Sequence, residues 1–382
     1  MDTEFRVALA LRSESIAPAQ YFFLGAHKFA HTRSNWKIVW DAGTSFLTWE
    51  QALRCQPDGI LGVLNPGTRN PGGRRTDVKI VILNNEPCEF PQVVADGAEA
   101  ARRAAAHLLT RRLKHFAFLG SEGAHFSRMR QQGFLEGLEA GGHQGRVITE
   151  DFRASTEHEG FLEKWLRTLP LPCGLLCAND LMGMKVIHAC RRANLEVPRE
   201  IAVLGISNYE MICAEAPVTL SSVEQHFEQV GHQGAALLDD LLNGKPAPAA
   251  PIFIPPGEVV VRESTRTFGV EDPLVRRALL IIDEDREEPL TMTMLLTRLG
   301  NVSQRLVELR FKKVLGRSPY QEILQSRITK ARRLLRSTAL SLEDIAYKAG
   351  FSDPPTFSHH FRKACHQTPS QYRKSSREGG SI

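Results

Sequence analysis

The chain has 382 residues, of which 42% are hydrophobic and 24% charged, a globular composition with enough apolar mass for two or three domains. No run approaches 18 consecutive apolar residues, and Glu4 and Arg6 interrupt the start of the chain. We therefore expect neither a transmembrane helix nor a signal peptide. Cys173 and Cys177 lie in an apolar run and are expected to be buried thiols, which favours a reduced, cytoplasmic location.

The net charge of +5 is unevenly distributed along the chain. From residue 266 onward there are 21 Lys and Arg against 13 Asp and Glu, whereas residues 1–265 hold 27 bases and 30 acids. A small basic part joined to a slightly acidic large part predicts that only the small part meets a polyanion. On charge alone, a solvated basic face without a partner is an equal alternative.

Apolar runs alternate with amphipathic segments through the first 265 residues. The apolar runs predict strands at residues 5–11, 37–40, 59–64, 78–83, 115–119, 145–149, 174–178, 201–205, 252–254 and 258–262. Helical periodicity predicts helices at residues 18–31, 47–55, 96–110, 128–140, 158–168, 181–193 and 228–242, with a turn-rich loop at 67–73. This alternation predicts an α/β domain of two lobes with parallel sheets and a ligand cleft between them.

The pattern changes to helical near residue 270. Residues 266–272 are expected to link a domain at 1–265 to an all-α domain at 273–377, followed by a tail at 378–382. The sequence contains no glycine-rich phosphate loop, nucleophile elbow, HExxH motif or metal-ligand spacing. We therefore expect no enzymatic activity, cofactor or metal.

Two segments of the helical part, residues 291–314 and 341–364, share one plan. In each, ten residues lead to a glycine, Gly300 or Gly350, and a second helix begins at a Ser or Asp cap and closes with Phe and two bases. This repeat predicts two helix–turn–helix units, against the alternative of a generic helical bundle with a charged exterior. Four side chains are expected to pack against the first helix of their unit: Leu306, Phe311, Phe357 and Phe361.

The outward positions of the second helices are candidates for contact with double-stranded DNA. They are Ser303, Gln304, Arg305, Glu308, Arg310 and Lys312 in the first unit, and Ser352, Pro355, Thr356, Ser358, His359, Arg362 and Lys363 in the second. The side chains of the first set can contact the edges of several DNA bases. The second helix begins with prolines and ends with the basic residues Arg362 and Lys363. We expect the first helix to supply most base discrimination and the second mainly salt-dependent affinity.

Residues 350–374, GFSDPPTFSHHFRKACHQTPSQYRK, resemble the signature of AraC/XylS-type transcription regulators, and residues 324–335 are similar to their long linking helix. This resemblance covers about residues 273–374. One departure is His366, where the family usually has Gly, and another is the Pro354–Pro355 pair.

Most of residues 5–262 resembles the LacI/GalR-type effector domain, which has the fold of periplasmic sugar-binding proteins. Segments 93–109, 128–138, 175–187, 197–208 and 220–231 carry the resemblance. The resemblance implies that ligand contacts fall on Asp96, Arg130, Asn179, Asp180, Asn208 and Gln225, with Ser207 where the family usually has Asp. Three aromatic residues are candidates to stack on a sugar, although such residues are more often simply core side chains: Phe22, Trp36 and Trp40.

The two resemblances together imply a ligand-responsive, DNA-binding transcription regulator. A sensing domain of this kind joined to such a DNA-binding domain is similar to the xylose-responsive regulators of enteric bacteria, which implies a pentose such as D-xylose and control of sugar catabolism genes. The implied partners are a double-stranded DNA operator, a sugar effector and a second copy of the chain, with RNA polymerase a further candidate and no membrane. The alternative is a cytoplasmic sugar-binding protein or sugar-processing enzyme with an incidental helical tail.

Overall fold

The computed structural model describes residues 4–11, 18–33, 35–39, 46–65, 77–152, 160–284 and 288–378. The chain divides into two compact units. Unit 1 comprises Met1–Leu109 and His115–Thr265, and unit 2 comprises Thr110–Lys114 and Arg266–Ile382. Over the described residues, no helix combines the length and the apolar character needed to cross a membrane.

Unit 1 alternates strands and helices, as the sequence predicts. Its strands are β1 (Phe5–Ala10), β2 (Trp36–Val39), β3 (Gly59–Gly62), β4 (Lys79–Ile82), β5 (Val93–Ala95), β6 (His115–Ser121), β7 (Ile148–Phe152), β8 (Cys173–Cys177), β9 (Ile201–Ser207), β10 (Ser221–Glu224), β11 (Ile252–Ile254) and β12 (Val259–Val260). Its helices are α1 (Ala19–Ala30), α2 (Trp49–Arg54), α3 (Gly97–Thr110), α4 (His125–Ala140), α5 (Phe161–Arg167), α6 (Asp180–Ala193), α7 (Glu210–Glu215) and α8 (Phe227–Leu242).

The first lobe of unit 1 is built on the parallel strands β2-β1-β3-β4, with β5 paired to β11 and joined to β4 by one bridge. Alternate residues of β1 enter opposite cores, because successive strand side chains point to opposite faces. Val7 and Leu9 pack with α1 and α8, whereas Ala8 and Ala10 pack with α2. This sheet is therefore covered on both faces.

Helices α1 and α8 of this lobe touch through their backbones at two glycines. A Cβ atom at Gly25 would lie 1.9 Å from the carbonyl oxygen of Glu228, and one at Gly231 would lie 2.1 Å from that of Phe22. No side chain larger than hydrogen fits at either position. This close approach fixes α8, which follows directly on the candidate ligand residue Gln225.

The second lobe of unit 1 is a sheet of order β12-β10-β9-β8-β6-β7, in which the pair of β10 and β12 is antiparallel and the others are parallel. One face packs on α5 and α6 through a core that includes the buried thiols of Cys173 and Cys177, as predicted. On the other face, Phe118 of β6 contacts Phe134 of α4, with ring centroids 6.3 Å apart. All seven cysteines are free thiols.

Unit 2 is helical, which confirms the predicted change of pattern. Its helices are α9 (Pro273–Asp283), α10 (Met292–Arg298), α11 (Gln304–Leu315), α12 (Pro319–Ser337), α13 (Leu342–Ala349), α14 (Pro354–Cys365) and α15 (Pro369–Glu378). One core joins α9, α10 and α11, and a second joins α13, α14 and α15. Helix α12 gives Ile323 to the first core and Ile328, Ala331 and Leu335 to the second, which confirms the predicted linking helix.

Residues 266–272 differ from the linker that we expected. Phe268 and Val270 are 8% and 6% exposed and belong to the first core of unit 2. The backbone N–H of Gly269 donates to the carbonyl oxygen of Arg111 at 2.8 Å. The segment is packed rather than solvated, because both of its large apolar side chains, Phe268 and Val270, are buried.

Residues Thr110–Lys114, which begin at the last residue of α3, carry two partly buried ion pairs in unit 2. Arg111, 5% exposed, pairs with Asp283, and Arg112 pairs with Glu322 of α12. Glu322 is 7% exposed and also accepts from Nε of Arg317 at 2.6 Å. Burial lowers the pKa of the Arg112 guanidinium despite the nearby carboxylate.

Most predicted elements of unit 1 occur within a few residues of their expected ends. Three short elements escaped the sequence analysis: β5, α7 and β10. β10 has the sequence SSVE, and its Ser221 and Ser222 are fully buried. The strand was missed because a polar sequence does not show the apolar run that is expected of a core strand. β7 lies three residues later than the predicted strand at 145–149. The loop expected at 67–73 and Trp40 lie outside the described residues.

Candidate functional site

Three candidate ligand residues follow strand ends in unit 1. Asp96 follows β5, and one of its carboxylate oxygens caps α3 by accepting from the N–H of Glu99 at 2.9 Å. Asn179 follows β8 and caps α6 by accepting from the N–H of Met182 at 2.9 Å. Both residues are half-buried. Asn208 follows β9, so the three polar side chains stand where parallel strands end, the usual location of ligands in such sheets.

Arg130 and Gln225 form a buried pair that the structure brings together from distant parts of the sequence. Each is 6% exposed. NH2 of Arg130 donates to Oε1 of Gln225 at 2.6 Å, and NH1 donates to the carbonyl oxygen of Ala178, next to Asn179. Burial lowers the pKa of the Arg130 guanidinium to about 10, so the group is charged at neutral pH.

Two polar atoms of this pair lack a partner. Nε of Arg130 and Nε2 of Gln225 are buried and have no hydrogen bond to any residue that the structure describes. Leaving a buried donor unsatisfied costs about 1–3 kcal/mol. Both atoms are donors, so a ligand with oxygen acceptors would remove this cost.

Asp180, another candidate ligand residue, is fully buried and bonded within the protein. The residue has no exposed surface, and its carboxylate accepts from Oγ of Ser222 at 2.5 Å and from the N–H of Tyr209 at 2.7 Å. Burial raises the pKa of this carboxyl although both hydrogen bonds and the nearby Arg130 oppose the change. The Asp180 carboxylate thus holds the turn at Asn208 and Tyr209 in position.

The turn after β9 has an unusual backbone. Ser207 has φ of 135° and Asn208 has φ of 55°, and side chains other than glycine adopt positive φ at a cost of about 1–3 kcal/mol. The turn is held by Asn208, whose N–H donates to Oγ of Ser222 at 3.0 Å and whose Oδ1 accepts from Arg262 at 2.9 Å. Strain held by surrounding contacts is a common property of ligand clamps.

Tyr209 is a candidate site residue that the sequence analysis missed. Its ring stacks between Tyr21 of α1 and Phe227 of α8, with centroids 6.0 and 5.9 Å away and interplanar angles of 25° and 14°. The side chain thereby joins the second lobe to the core of the first. The available signal was an aromatic residue directly after the Ser207–Asn208 pair.

The aromatic side chains that we considered for stacking have other positions. Phe22 is 2% exposed and belongs to the core of the first lobe. Nε1 of Trp36 donates to Asp239 at 2.8 Å, and the ring packs on Phe29. Both are therefore core side chains, the alternative that the sequence left open.

The two helix–turn–helix units repeat each other closely in unit 2. Gly300 and Gly350 adopt φ of 93° and 98° between the helices of each unit, which glycine permits. Ser303 caps α11 by accepting from the N–H of Leu306, whereas Asp353 caps α14 by accepting from the N–H of Thr356 at 2.7 Å. Ser352 supports that cap by donating to Asp353 at 2.6 Å.

Both second helices end in a left-handed residue. Gly316 follows α11 with φ of 70°, and His366 follows α14 with φ of 57°. Their N–H groups donate to the carbonyl oxygens of Lys312 and Arg362 respectively. His366 therefore keeps the geometry of the glycine that it replaces.

The candidate DNA-contacting side chains lie at the surface. Only Thr356 among them is half-buried, and its hydroxyl donates to Asp353 at 2.9 Å. The exposed members are Ser303, Gln304, Arg305, Glu308, Arg310, Lys312, Ser352, Pro355, Ser358, His359, Arg362 and Lys363. Arg310 differs in one respect, because it pairs with Asp272 at the start of α9 at 2.8 Å, which turns its charge toward the protein.

The predicted packing of the second helices is wrong at one position. Phe311, Phe357 and Phe361 are buried as expected, but Leu306 is 40% exposed and the neighbouring Val307 is fully buried. Val307 and Phe311 lie four residues apart and share a helix face, whereas Leu306 lies about 100° from Val307. The choice between two adjacent apolar residues could not be made from the sequence pattern.

Comparison with known proteins identifies the family. Residues 105–265 match a periplasmic binding protein-like domain, and residues 296–375 match a helix-turn-helix domain. The xylose operon regulatory protein of Haemophilus influenzae is 31% identical over 291 residues, which cover 74% of this chain and 75% of that protein. This chain belongs to the family of the xylose operon regulatory proteins. The Escherichia coli K12 protein of that name is 30% identical over 288 residues, 74% of this chain and 73% of that protein.

A solved structure of this family supports the same assignment over nearly the whole chain. The structure of the xylose-binding transcription activator XylR matches with a TM-score of 0.60 and 25% identity, covering 98% of this chain and 99% of that one. This xylose operon regulator homologue is thus a sugar-sensing, DNA-binding transcription regulator and not an enzyme. The predicted order, an α/β sensing domain followed by a double helix–turn–helix, is confirmed.

Proposed function

We propose that this regulator senses a pentose such as D-xylose in the cleft of unit 1 and controls genes of sugar catabolism. The similarity to the xylose operon regulatory proteins and to the xylose-binding transcription activator XylR supports the choice of sugar. The observation that carries the proposal is the pair of buried donors without partners, Nε of Arg130 and Nε2 of Gln225. A sugar supplies hydroxyl and ring oxygens that accept from both.

The other proposed contacts suit the same ligand. Asp96 would accept hydrogen bonds from sugar hydroxyls, and Asn179 and Asn208 would both donate and accept. We propose a positioning role for Asp180, because it is fully buried and each of its carboxylate oxygens already accepts a hydrogen bond, from Ser222 or Tyr209.

Ligand binding would favour one arrangement of the two lobes. Asp96 and Gln225 lie on chain segments that pass between the lobes, after β5 and β10. Nearby, Arg103 of α3 donates to the carbonyl oxygens of Pro256 and Gly257, on a third such segment, at 2.7 and 2.9 Å. A sugar held by these residues shifts the equilibrium between two arrangements of the lobes only as far as it binds one arrangement more tightly than the other.

In unit 2, the proposed partner is a double-stranded DNA operator read by α11 and α14 in its major groove. We propose that the regulator acts in the cytoplasm as a homodimer, because paired readers gain effective concentration on a double site. RNA polymerase is the proposed further partner of the DNA-bound protein, and we propose no membrane association.

Calorimetry tests the sugar assignment. Titration of the full chain with D-xylose, D-ribose, L-arabinose and D-glucose should show binding of a pentose. Arg130→Ala and Gln225→Ala should each weaken it by about 1–3 kcal/mol, roughly 5- to 150-fold. The matched control is Arg128→Ala, an exposed arginine of the same helix that donates to Gly123, which should leave affinity unchanged. Normal pentose binding by both cleft variants, with circular dichroism showing folded protein, would exclude this site.

A further inference from the structure

Helix α11 carries apolar side chains on its exposed face. Leu309 is 65% exposed and Leu306 40%, whereas Val307 and Phe311 are fully buried. Because successive helix residues are rotated by about 100°, Leu309, two positions from both buried residues, points directly away from the core. Leu309 therefore lies on the outermost line of the helix, called its crest below, and contributes little to packing inside unit 2.

Two cations flank Leu309 on this crest. Arg305 lies four residues before it and Lys312 three residues after it, so all three share one helix face, and both bases are exposed. The adjacent polar residues engage each other, since Nε2 of Gln304 donates to Glu308 at 2.8 Å. The outermost line of α11 is thus arginine, leucine and lysine.

The second unit shows that folding does not require an apolar crest. The position that corresponds to Leu309 in α14, fifty residues later, is His359, which is exposed. Phe357 and Phe361 take the buried places of Val307 and Phe311. Since the repeat folds with a histidine at the crest, the leucine at 309 must be explained by what the crest contacts.

The chemistry of the major groove supplies an apolar partner. Among the groups that base edges present there, the 5-methyl group of thymine is the apolar one. Cations on both sides of Leu309 suit the phosphates and guanine edges beside such a base, and they favour a polyanion over an apolar protein surface. We propose that Leu309 contacts the 5-methyl group of a thymine and so makes that base part of the sequence preference. This inference rests on the proposed entry of α11 into the major groove.

Replacement of thymine by deoxyuridine provides a direct test, because it removes only the methyl group. The full chain is first used to select its preferred duplex from a randomised pool. Affinities are then measured for that duplex and for versions with one thymine at a time replaced by deoxyuridine. At one or two thymines, wild type should bind about fourfold more weakly, which corresponds to about 0.8 kcal/mol for one buried methyl group.

The variant Leu309→Ala completes the cycle. It should bind the thymine duplex at least fourfold more weakly than wild type and be insensitive to deoxyuridine at the same positions. Leu24→Ala, an equally apolar change at a 41% exposed position on α1 of unit 1, should keep the wild-type pattern. Thermal unfolding should show Leu309→Ala as stable as wild type, since its side chain is mostly exposed.

The outcomes separate this inference from the proposed function. A wild-type protein that selects no sequence overturns both. A selected duplex to which Leu309→Ala binds normally, with deoxyuridine sensitivity retained, overturns the thymine contact alone. If that variant binds DNA normally but loses activation of transcription in a purified system, Leu309 faces a protein partner and the inference is wrong.

Discussion

The change Arg112→Ala should weaken communication between sugar and DNA while leaving each binding reaction intact. Helix α3 begins beside Asp96, a proposed sugar contact, and residues Thr110–Lys114, which begin at its last residue, belong to unit 2. There Arg112 pairs with the buried Glu322 of α12, the helix shared by both helix–turn–helix cores. This ion pair therefore connects the chain segment that leaves the proposed sugar site with α12, which packs against both proposed DNA-contacting helices.

The expected free-energy cost of Arg112→Ala follows from the burial of the ion pair. Removing one partner of a buried ion pair costs about 3–5 kcal/mol when it leaves an uncompensated charge. Here Glu322 keeps its contact with Arg317 at 2.6 Å, and the side chain of Arg112 is 27% exposed, so we expect about 2 kcal/mol. Coupling between two sites is typically about 1–3 kcal/mol. Loss of this contact is thus large enough to remove most of the coupling.

The assay compares operator affinity with and without saturating sugar. For Arg112→Ala, the ratio of the two dissociation constants should move toward one, while sugar affinity and sugar-free operator affinity stay within about threefold of wild type. The matched control, Arg102→Ala, removes two ion pairs, with Glu99 and Glu136, from an arginine of α3 that is 39% exposed, and exposed pairs contribute little. An unchanged ratio in Arg112→Ala, together with reduced thermal stability, would refute the coupling role.

Three further changes test stability. His366→Gly should raise the free energy of unfolding of unit 2 by about 0.5–1 kcal/mol, because φ of 57° favours glycine; a lower urea midpoint would contradict this. Burial alone would raise the pKa of Asp272, but hydrogen bonds from the backbone and Arg310 outweigh it and lower the pKa. Its stabilisation is present above the unfolded-state pKa and lost as pH falls through the folded value, so Asp272→Asn should flatten the acid side of a stability–pH curve measured by urea unfolding. Gly231→Ala should cost about 3 kcal/mol, the upper end of the usual cost of overpacking, because its Cβ would lie 2.1 Å from the carbonyl oxygen of Phe22; a normal melting temperature would contradict the backbone contact.

The helical unit could be predicted well because its helical periodicity agreed with the repeat of residues 291–314 in residues 341–364. The repeated glycine, cap and Phe pattern located both helix–turn–helix units, and buried Phe357 and Phe361 confirm its reading. The pattern failed at Leu306 and Val307, where two adjacent apolar residues compete for one inward position. The prediction of a linker at residues 266–272 rested on the small number of apolar residues in that segment. Phe268, one of those few residues, is nevertheless buried in the first core of unit 2.

The site could be predicted less completely than the fold. Family motifs indicated Arg130 and Gln225, but only the structure shows that they bond to each other and that each keeps an unsatisfied donor. Family motifs indicated Asp180 in the same way, and only the structure shows that its buried carboxylate accepts from Ser222 and Tyr209. Tyr209 was missed because its stacking partners, Tyr21 and Phe227, are contributed by distant segments. Contacts of this kind carry no local sequence pattern.

The division of unit 2 into two cores has a consequence for how such regulators change over generations. Each reading helix buries its own pair of side chains, Val307 and Phe311 or Phe357 and Phe361, and α12 is the helix common to both cores. Substitutions on the exposed face of one of these helices therefore leave the core behind the other helix unchanged. On the proposed operator, the bases contacted by one helix can therefore change together with that helix, while the other helix keeps its own contacts.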